Sequence, residues 1–271
     1  MNLDNILFIG GPARLASVQV RCVDIANKLG CATCIDPRSS SDIPHGFSVY
    51  VCIKPRLGME ALEILALRGK VVWDIIDEPP PGRHITTYIA STQTIKTLFQ
   101  GLGNIELIRH HHCNVERRFP ERTTIRPGWI GYPKWAPDLS GLEYDIYDAR
   151  TMSRLDVLAA HEKMGIGLNV RRATFQAHIH ARLSSGIKLI NCIGCGIPSI
   201  SSEEPGYKEI GNGCTLFIKD LSECAEAVRE LSSNTRLYDA IRARCLVDSE
   251  KFHLDNVVVH YRNLLEQLAR E

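Results

Sequence analysis

Short apolar runs alternate with amphipathic stretches through the first half of this chain. Residues 5–11 form an apolar run closed by two glycines, and residues 17–29 carry apolar side chains at helical spacing up to Gly30. A buried parallel strand is a continuous apolar run, whereas a helix packed on a sheet has a period near 3.6 residues. Further strands are predicted at 31–35, 48–53, 70–76, 88–91 and 105–109, with helices at 59–67 and 94–101. This alternation predicts a parallel sheet with right-handed crossovers.

The periodicity is lost over residues 114–126, which are rich in arginine, and we expect a domain boundary there. Beyond Pro127 the pattern predicts helices at 152–164 and 174–183, a strand at 165–170, a strand at 216–218, and amphipathic helices at 221–231 and within 237–262. The predicted domains are 1–120, 121–250 and a C-terminal helical segment, 251–271. No internal repeat or low-complexity tract interrupts this order.

Residues 186–210 form the most informative stretch of the chain. They predict a short helix, a Gly-x-Pro turn at Gly196, a buried strand and a second helix that starts near Gly206. The free N–H groups and the dipole at a helix N-terminus favour anions. Lys188 in the first turn of one helix and Glu209 near the start of the other predict a pocket for an anion joined to a hydroxylated group. A sugar nucleotide has both parts.

Three segments carry a resemblance to a known family. They are the strand 70–77, which ends in spaced aspartates; the motif 194–200 with 206–209; and the terminal helices 252–265. With these segments the chain resembles retaining glycosyltransferases of the GT-B architecture, family 4-like (group 1), in a compact form. The resemblance implies an α/β fold with two Rossmann-like lobes whose parallel sheets face a cleft. It also implies that the second lobe is shortened and that the last helix packs back on the first lobe.

The sequence departs from that family at an acidic pair. The family usually carries two glutamates eight positions apart, and Leu183 and Asn191 stand at or near those positions here. Related members have a lysine at the helix start instead, and Lys188 places this chain among them. Only about thirty residues separate Gly131 from the predicted strand at 165–170, so the second lobe is expected to be trimmed.

The resemblance implies an enzyme that moves a sugar from a nucleotide-diphosphate donor to an acceptor hydroxyl, with retention of anomeric configuration. It implies no required cofactor, and the acceptor, whether a glycan, a lipid-linked molecule or a small molecule, is unknown. One alternative is a non-catalytic glycosyltransferase-like binding subunit, which the missing acidic pair would explain. A second is an NAD(P)-dependent oxidoreductase, although the loop after Gly11 lacks the third glycine of a dinucleotide fingerprint.

The residues expected to touch the donor follow from the motif and its flanks. Lys188 and Arg172 are expected to be catalytic, because fixed positive charge stabilises a leaving diphosphate. The expected donor-binding residues are Ser185, Gly186, Ile187, Lys188, Tyr207, Glu209, Gly11 and Lys134. Glu209 is assigned to the ribose hydroxyls by resemblance.

Several of these assignments have alternatives. Either Ser184 or Ser185 is a candidate cap for the helix of Lys188, and Arg171 is nearly as good a candidate as Arg172. Lys188 and Glu209 also fit the description of ordinary surface charges, and Tyr207 that of a packing residue. Either His111 or Asp77 is a candidate to orient the acceptor.

The histidines and cysteines predict no metal site. Three consecutive histidines, His110 to His112, cannot all face one ion, because neighbouring side chains on an extended segment point in alternate directions. Cys31-x-x-Cys34 and Cys192-x-x-Cys195 have ligand-like spacing but lie in apolar patterns, so we interpret them as core cysteines.

The composition of the chain indicates which kinds of partner it binds and in which compartment it functions. The 271 residues carry 32 basic and 31 acidic side chains, so the net charge of +1 does not favour nucleic acid as a partner. Ten cysteines spread along a chain of this length suit free thiols in a reducing compartment. No signal-peptide pattern and no apolar stretch of membrane-spanning length are present, and a cytoplasmic location is expected.

Overall fold

The computed structural model describes residues 3–81, 84–119, 125–172 and 182–270. The chain divides into two compact units: unit 1 contains residues 1–110 and 254–271, and unit 2 contains residues 111–253. Segment 111–119, assigned to the first domain from the sequence, belongs to unit 2 because its backbone bonds to residues of that unit. His112 N–H donates to Phe252 O at 2.9 Å, and Cys113 N–H donates to Asn191 Oδ1 at 2.9 Å.

Unit 1 is built on a six-stranded parallel sheet with the order β2-β1-β3-β4-β5-β6. Its strands are β1 (Ile6–Gly10), β2 (Ala32–Ile35), β3 (Val49–Ile53), β4 (Lys70–Ile75), β5 (Thr87–Ala90) and β6 (Asn104–Leu107). Every residue of β1 and β3 is buried, as expected of central strands covered on both faces. The strands predicted for this half of the chain are confirmed.

The helices of unit 1 are α1 (16–29), α2 (Met59–Arg68), α3 (Gln93–Phe99) and the C-terminal α9 (Leu254–Arg270). The end of α1 is set by Gly30, whose φ of 77° is a left-handed conformation that glycine adopts without strain. The start of α3 is set by Thr92, whose hydroxyl accepts the Ile95 N–H at 3.2 Å.

Unit 2 is built on a five-stranded parallel sheet with the order β11-β10-β9-β7-β8. Its strands are β7 (Pro127–Gly131), β8 (Asp145–Asp148), β9 (Ile166–Asn169), β10 (Ser199–Ser202) and β11 (Thr215–Ile218). Its helices are α4 (Arg154–Lys163), α5 (Ile187–Gly194), α6 (Pro205–Ile210), α7 (Cys224–Ser233) and α8 (Thr235–Ser249).

Most predicted elements of unit 2 are present, and two strands that the sequence did not predict are added. β7 carries a proline and two glycines, and β8 carries two aspartates, so both lack the composition typical of strands. Gly128 is needed in β7 because a Cβ there would collide with the Met164 side chain. The predicted helix at 174–183 lies almost entirely outside the described residues.

Each unit has its own apolar core. The core of unit 2 forms around the fully buried Trp129 and includes Leu189, Ile190 and Ile193 on one face of α5. Packing that face against the sheet leaves the first turn of α5 at the carboxyl edge of the strands. Among the described residues, no helix combines the length and apolar character needed to cross a bilayer.

Candidate functional site

The candidate site lies in unit 2, where the neighbouring parallel strands β9 and β10 end. Asn169 and Ser201 are register partners, so the residues that follow these strands leave the sheet at the same edge. A Cβ added to Gly186 would lie 3.4 Å from the carbonyl oxygen of Gly206, which shows that the starts of α5 and α6 lie against each other. The predicted convergence of two helix N-termini is therefore present. Open α/β sheets bind ligands at this edge.

Gly186, and not a serine, is the N-cap of α5. It has a φ of 71° and forms the N-cap without a side-chain hydrogen bond. The interpretation of Ser184 or Ser185 as the cap is therefore wrong. Both serines are buried, and Ser184 Oγ instead accepts a hydrogen bond from Arg171 Nη2 at 2.9 Å. The N–H groups of the first turn are consequently left without a capping side chain, as an anion site at a helix start requires.

Arg171, which is 30% exposed, and the buried Glu204 form an ion pair at the edge of the sheet. Arg171 Nε donates to Glu204 Oε1 at 2.8 Å, and Ser202 Oγ donates to the same oxygen at 3.2 Å. The Glu204 side chain is only 7% exposed, and its Oε2 atom has no hydrogen-bond partner among the described residues. A buried carboxylate oxygen without a donor is a candidate acceptor for a ligand hydroxyl or amide.

Sequence reasoning did not identify this pair. Arg172 was preferred to Arg171 from the sequence, yet Arg172 is exposed, whereas Arg171 bonds to Glu204 and Ser184. Glu204 was not among the residues predicted from the sequence. Its position directly before Pro205, where the helix begins, was the signal that this carboxylate stands at a helix start.

Lys188 is partly buried and faces an aromatic ring. Its Nζ lies 4.2 Å from the centroid of the Trp129 ring, which the bond from Trp129 Nε1 to Val170 O, 3.0 Å long, holds in place. Burial, and then repulsion from Arg171, lower the pKa of Lys188 to about 7, although Glu204 acts in the opposite direction. The interpretation of this lysine as a solvated surface charge is therefore wrong.

Lys188 also lines a small cavity with His161, Asn169, Asn191 and Cys192. The cavity has a volume of about 30 Å³, enough for a water molecule or two and far too small for a sugar nucleotide. A ligand much larger than water would therefore contact Lys188 only from outside this cavity. Asn191 Oδ1 accepts the hydrogen bond from the Cys113 N–H.

Tyr207 and Glu209 lie on α6. The Tyr207 ring is 1% exposed and belongs to the core of unit 2. Burial, with Glu204 nearby, raises the pKa of its phenol. Tyr207 therefore acts mainly as a packing residue. Glu209, further along the helix, is only partly buried. Contact of Glu209 with a ribose, and of Ile187 with a phosphate, stays a prediction.

Lys134 belongs to unit 2 and Gly11 to unit 1, and contact of either residue with a donor stays a prediction. Lys134 is exposed in unit 2, with its ammonium 5.0 Å from the ring centroid of Tyr132 and 4.9 Å from that of Trp135. Gly11 belongs to unit 1, where a Cβ would collide with the Lys54 carbonyl group. Close backbone approach between two strand ends is therefore sufficient reason for that glycine.

The two candidates for orienting an acceptor differ in exposure. His111 is 1% exposed, and its Nδ1 donates to the His112 carbonyl oxygen at 2.9 Å. Asp77, in unit 1, is more accessible and accepts a hydrogen bond from Lys54 Nζ at 2.7 Å. Exposure thus favours Asp77, while its role stays a prediction.

Solved structures share this fold over nearly the whole chain. HepE from Anabaena, in complex with UDP and glucose, has a TM-score of 0.71 at 11% identity over 98% of this chain and 100% of its own. A glycosyltransferase from Rickettsia africae has a TM-score of 0.68 at 10% identity, covering both chains fully. AviGT4, a glycosyltransferase involved in avilamycin A biosynthesis, has a TM-score of 0.59 at 12% identity over 97% of each chain.

The similarity is one of structure and not of sequence. No protein-family model matches this chain, and no curated protein matches it either. With two parallel sheets of six and five strands and these structural neighbours, the chain has the GT-B fold of glycosyltransferases, and its second lobe is compact.

Proposed function

We propose that this protein is a glycosyltransferase that moves a sugar from a nucleoside-diphosphate donor to an acceptor hydroxyl, with retention of configuration. The observation that carries the proposal is the structural match, over nearly the full chain, to HepE in complex with UDP and glucose. A second glycosyltransferase, from Rickettsia africae, matches over both full chains. At 11% and 10% identity these matches show the fold alone, and the assignment of donor and activity is supported in addition by the chemistry of the site.

The site offers groups that suit a nucleoside diphosphate. The uncapped first turn of α5 presents N–H groups at Gly186 and Ile187, and the Arg171 guanidinium and the ammonium form of Lys188 place positive charge nearby. Negative charge grows on the diphosphate as the glycosidic bond breaks, so fixed dipoles and cations lower the barrier through electrostatic preorganisation. We assign Glu209 to the ribose hydroxyls, and the open oxygen of Glu204 is a candidate acceptor for a sugar hydroxyl.

In this scheme Arg171 acts together with Glu204. The carboxylate holds the guanidinium at the strand end, so that its remaining N–H groups are oriented before the donor arrives. Arg172, which the sequence favoured, is assigned instead to outer contacts with the donor. No protein nucleophile and no organic cofactor are needed in this scheme.

The first test is a thermal-shift panel of UDP, GDP, ADP, CMP and NAD. A ligand that binds the folded state raises the melting temperature as its concentration exceeds the dissociation constant. We expect at least one nucleoside diphosphate to raise the melting temperature and NAD to have no effect. A shift with NAD alone would contradict the proposal and return the chain to the oxidoreductase alternative.

The second test separates a glycosyltransferase from a non-catalytic binding subunit. The matching UDP-, GDP- or ADP-sugar is incubated with a mixture of glycan and small-molecule acceptors, and nucleotide release is followed with wild type and Lys188→Met. Release by wild type that Lys188→Met greatly reduces supports transfer. Tight nucleotide binding without any release supports the subunit.

A further inference from the structure

Three side chains capable of binding a metal meet in the interior of unit 2. Cys113 follows the histidine run, His161 lies on α4, and Cys195 directly follows α5. Their ligand atoms all lie within 4.8 Å of one another. The three residues are 2%, 3% and 3% exposed, respectively. Nothing in the sequence connects Cys195, in an apolar Cys192-x-x-Cys195 motif, with Cys113, which follows the histidine run.

The distance between the two sulfurs fits a shared metal ion. Cys113 Sγ and Cys195 Sγ are 4.0 Å apart, too far for a disulfide, whose sulfurs are about 2 Å apart. Two sulfurs bound to one tetrahedral zinc at about 2.3 Å lie about 3.8 Å apart. Zinc would therefore enter with only a small adjustment of either side chain.

His161 is oriented as a metal ligand. Its Nδ1 lies 2.7 Å from the carbonyl oxygen of Val157. A carbonyl only accepts hydrogen bonds, so Nδ1 carries the proton and a neutral ring keeps its lone pair on Nε2. Metal-binding histidines use this arrangement, in which a backbone carbonyl fixes the tautomer and the ring orientation.

The position of Cys113 is also held from outside the cluster. Its N–H donates to Asn191 Oδ1 at 2.9 Å, and its carbonyl oxygen accepts from Arg154 Nη1 at 2.7 Å. Arg154 is in turn paired with Glu116. The backbone that carries this thiol is thus tied to α5, which Cys195 directly follows, and to α4, which carries His161.

We propose that Cys113, His161 and Cys195 bind a zinc ion that fastens segment 111–114 to helices α4 and α5. When Zn²⁺ binds, the two thiols each release a proton to solvent, and two thiolates balance the charge of the ion in this buried place. Water completes the tetrahedron. Because Cys195 lies at the end of α5, the ion supports the helix whose first turn forms the candidate donor site.

The test begins with the metal content of the whole protein. Wild type is produced with zinc in the medium and purified under reducing conditions without chelator, and metals are measured by mass spectrometry. We expect about one zinc per chain, the stoichiometry of a single Cys₂His site. Chain that stays free of zinc after purification, and after addition of zinc to the reduced protein, would overturn the proposal.

Cobalt provides a readout that does not depend on any variant. Co²⁺ added to the zinc-free reduced protein is expected to show the intense visible bands of tetrahedral cobalt with a thiolate-to-cobalt charge-transfer band. Addition of zinc is expected to displace the cobalt and remove both the visible bands and the charge-transfer band. Cobalt bands without thiolate charge transfer would contradict the assignment of the two cysteines.

Variants identify the ligands. Cys113→Ser, Cys195→Ser and His161→Gln are expected to lose the zinc, whereas Cys224→Ser, a change at a fully buried cysteine outside the cluster, is expected to keep it. Circular dichroism of each variant reports whether it folds. If folded Cys113→Ser and Cys195→Ser retain as much zinc as Cys224→Ser, the ion lies elsewhere and the proposal is wrong.

Discussion

Lys188 is a residue of the candidate site whose burial disfavours its charged form. Its pKa is lowered to about 7 by burial and then by Arg171, whereas a lysine in the unfolded chain has a pKa of about 10.4. Between these values the unfolded chain binds more protons, so this residue makes the folded state more stable as the pH rises from about 7 to about 10. Below pH 7 both states are protonated and the full cost of burying the charge remains.

This pKa predicts that nucleoside-diphosphate binding takes up a proton at pH 8. Half or more of the Lys188 side chains are neutral there, and a diphosphate favours the ammonium form. Calorimetry at pH 8 in two buffers of different ionisation enthalpy is expected to give different binding enthalpies, with up to one proton taken up. Affinity is expected to weaken as the pH rises from 7 to 9.

Lys188→Met is the matched control, because methionine fills similar space without a charge. We expect it to abolish the proton uptake and weaken diphosphate binding by about 1.5–3 kcal/mol, roughly ten- to hundredfold. Binding of the nucleoside alone is expected to change little. Equal small effects on both ligands would show that Lys188 does not contact the phosphates.

At the level of the element, helix α5 depends on the conformation of the glycine that precedes it. Gly186 has a φ of 71°, and a Cβ there would lie 2.7 Å from Ile210 Cδ1 on α6. A side chain in the left-handed region costs about 1–2 kcal/mol. We expect Gly186→Ala to lower the free energy of unfolding in urea by at least this amount and to weaken nucleotide binding.

Gly141→Ala is the control that separates the conformational cost of a side chain at positive φ from the cost of a steric clash. Gly141 has a φ of 82° in the same unit, but a Cβ there would meet no atom within 4 Å. Its substitution is expected to cost only the conformational part, about 1–2 kcal/mol, and to leave nucleotide binding unchanged. Equal losses of stability in the two variants would show that the contact between α5 and α6 tolerates an added methyl group.

Elements differ in how far the sequence predicts them. The boundaries of β1 and α1 follow from a continuous apolar run and a glycine, which are local signals. β7 has no such signal, because Pro127, Gly128 and Gly131 all disfavour a strand. Its place in the sheet depends on two tertiary features. Trp129 packs in the core, and β8 and β9, the neighbouring strands on either side, form hydrogen bonds with the β7 backbone.

At the scale of the whole molecule, a buried polar network in unit 1 joins the C-terminal helix α9 to strand β4 and helix α1. Arg21 Nε donates to Asp74 Oδ2, Arg21 Nη1 donates to Ile108 O at 2.9 Å, and Tyr261 OH on α9 donates to Asp74 Oδ2 at 3.0 Å. Both members of the ion pair are about 1% exposed or less. The network also shows that Asp74, one of the spaced aspartates at the end of segment 70–77, pairs with Arg21 inside unit 1.

Asp74→Asn is expected to destabilise the protein severely. Removing one charge of a buried pair leaves the Arg21 guanidinium without its counter-charge, which costs about 3–5 kcal/mol. Tyr261→Phe keeps the ion pair and removes one hydrogen bond, at about 0.5–1.5 kcal/mol. Urea unfolding followed by circular dichroism compares the two, and a loss in Asp74→Asn no larger than in Tyr261→Phe would contradict the role of the ion pair.

Local periodicity by itself determined the α/β class, most strands and helices, and the stretch 186–210 as the place where two helices start. These features depend on neighbours within a few residues, and so the sequence displays them directly. It also led to Lys188, because a lysine in a first helical turn conflicts with the helix dipole.

Only the tertiary structure decided which side chains meet. Arg171 and Arg172 are adjacent and chemically identical, and the end of β9 alone places the first beside Ser184 and Glu204. Cys113, His161 and Cys195 come together because α4, α5 and segment 111–114 pack in one unit. Such contacts depend on the closure of long loops around a shared core, and one-dimensional spacing does not encode them.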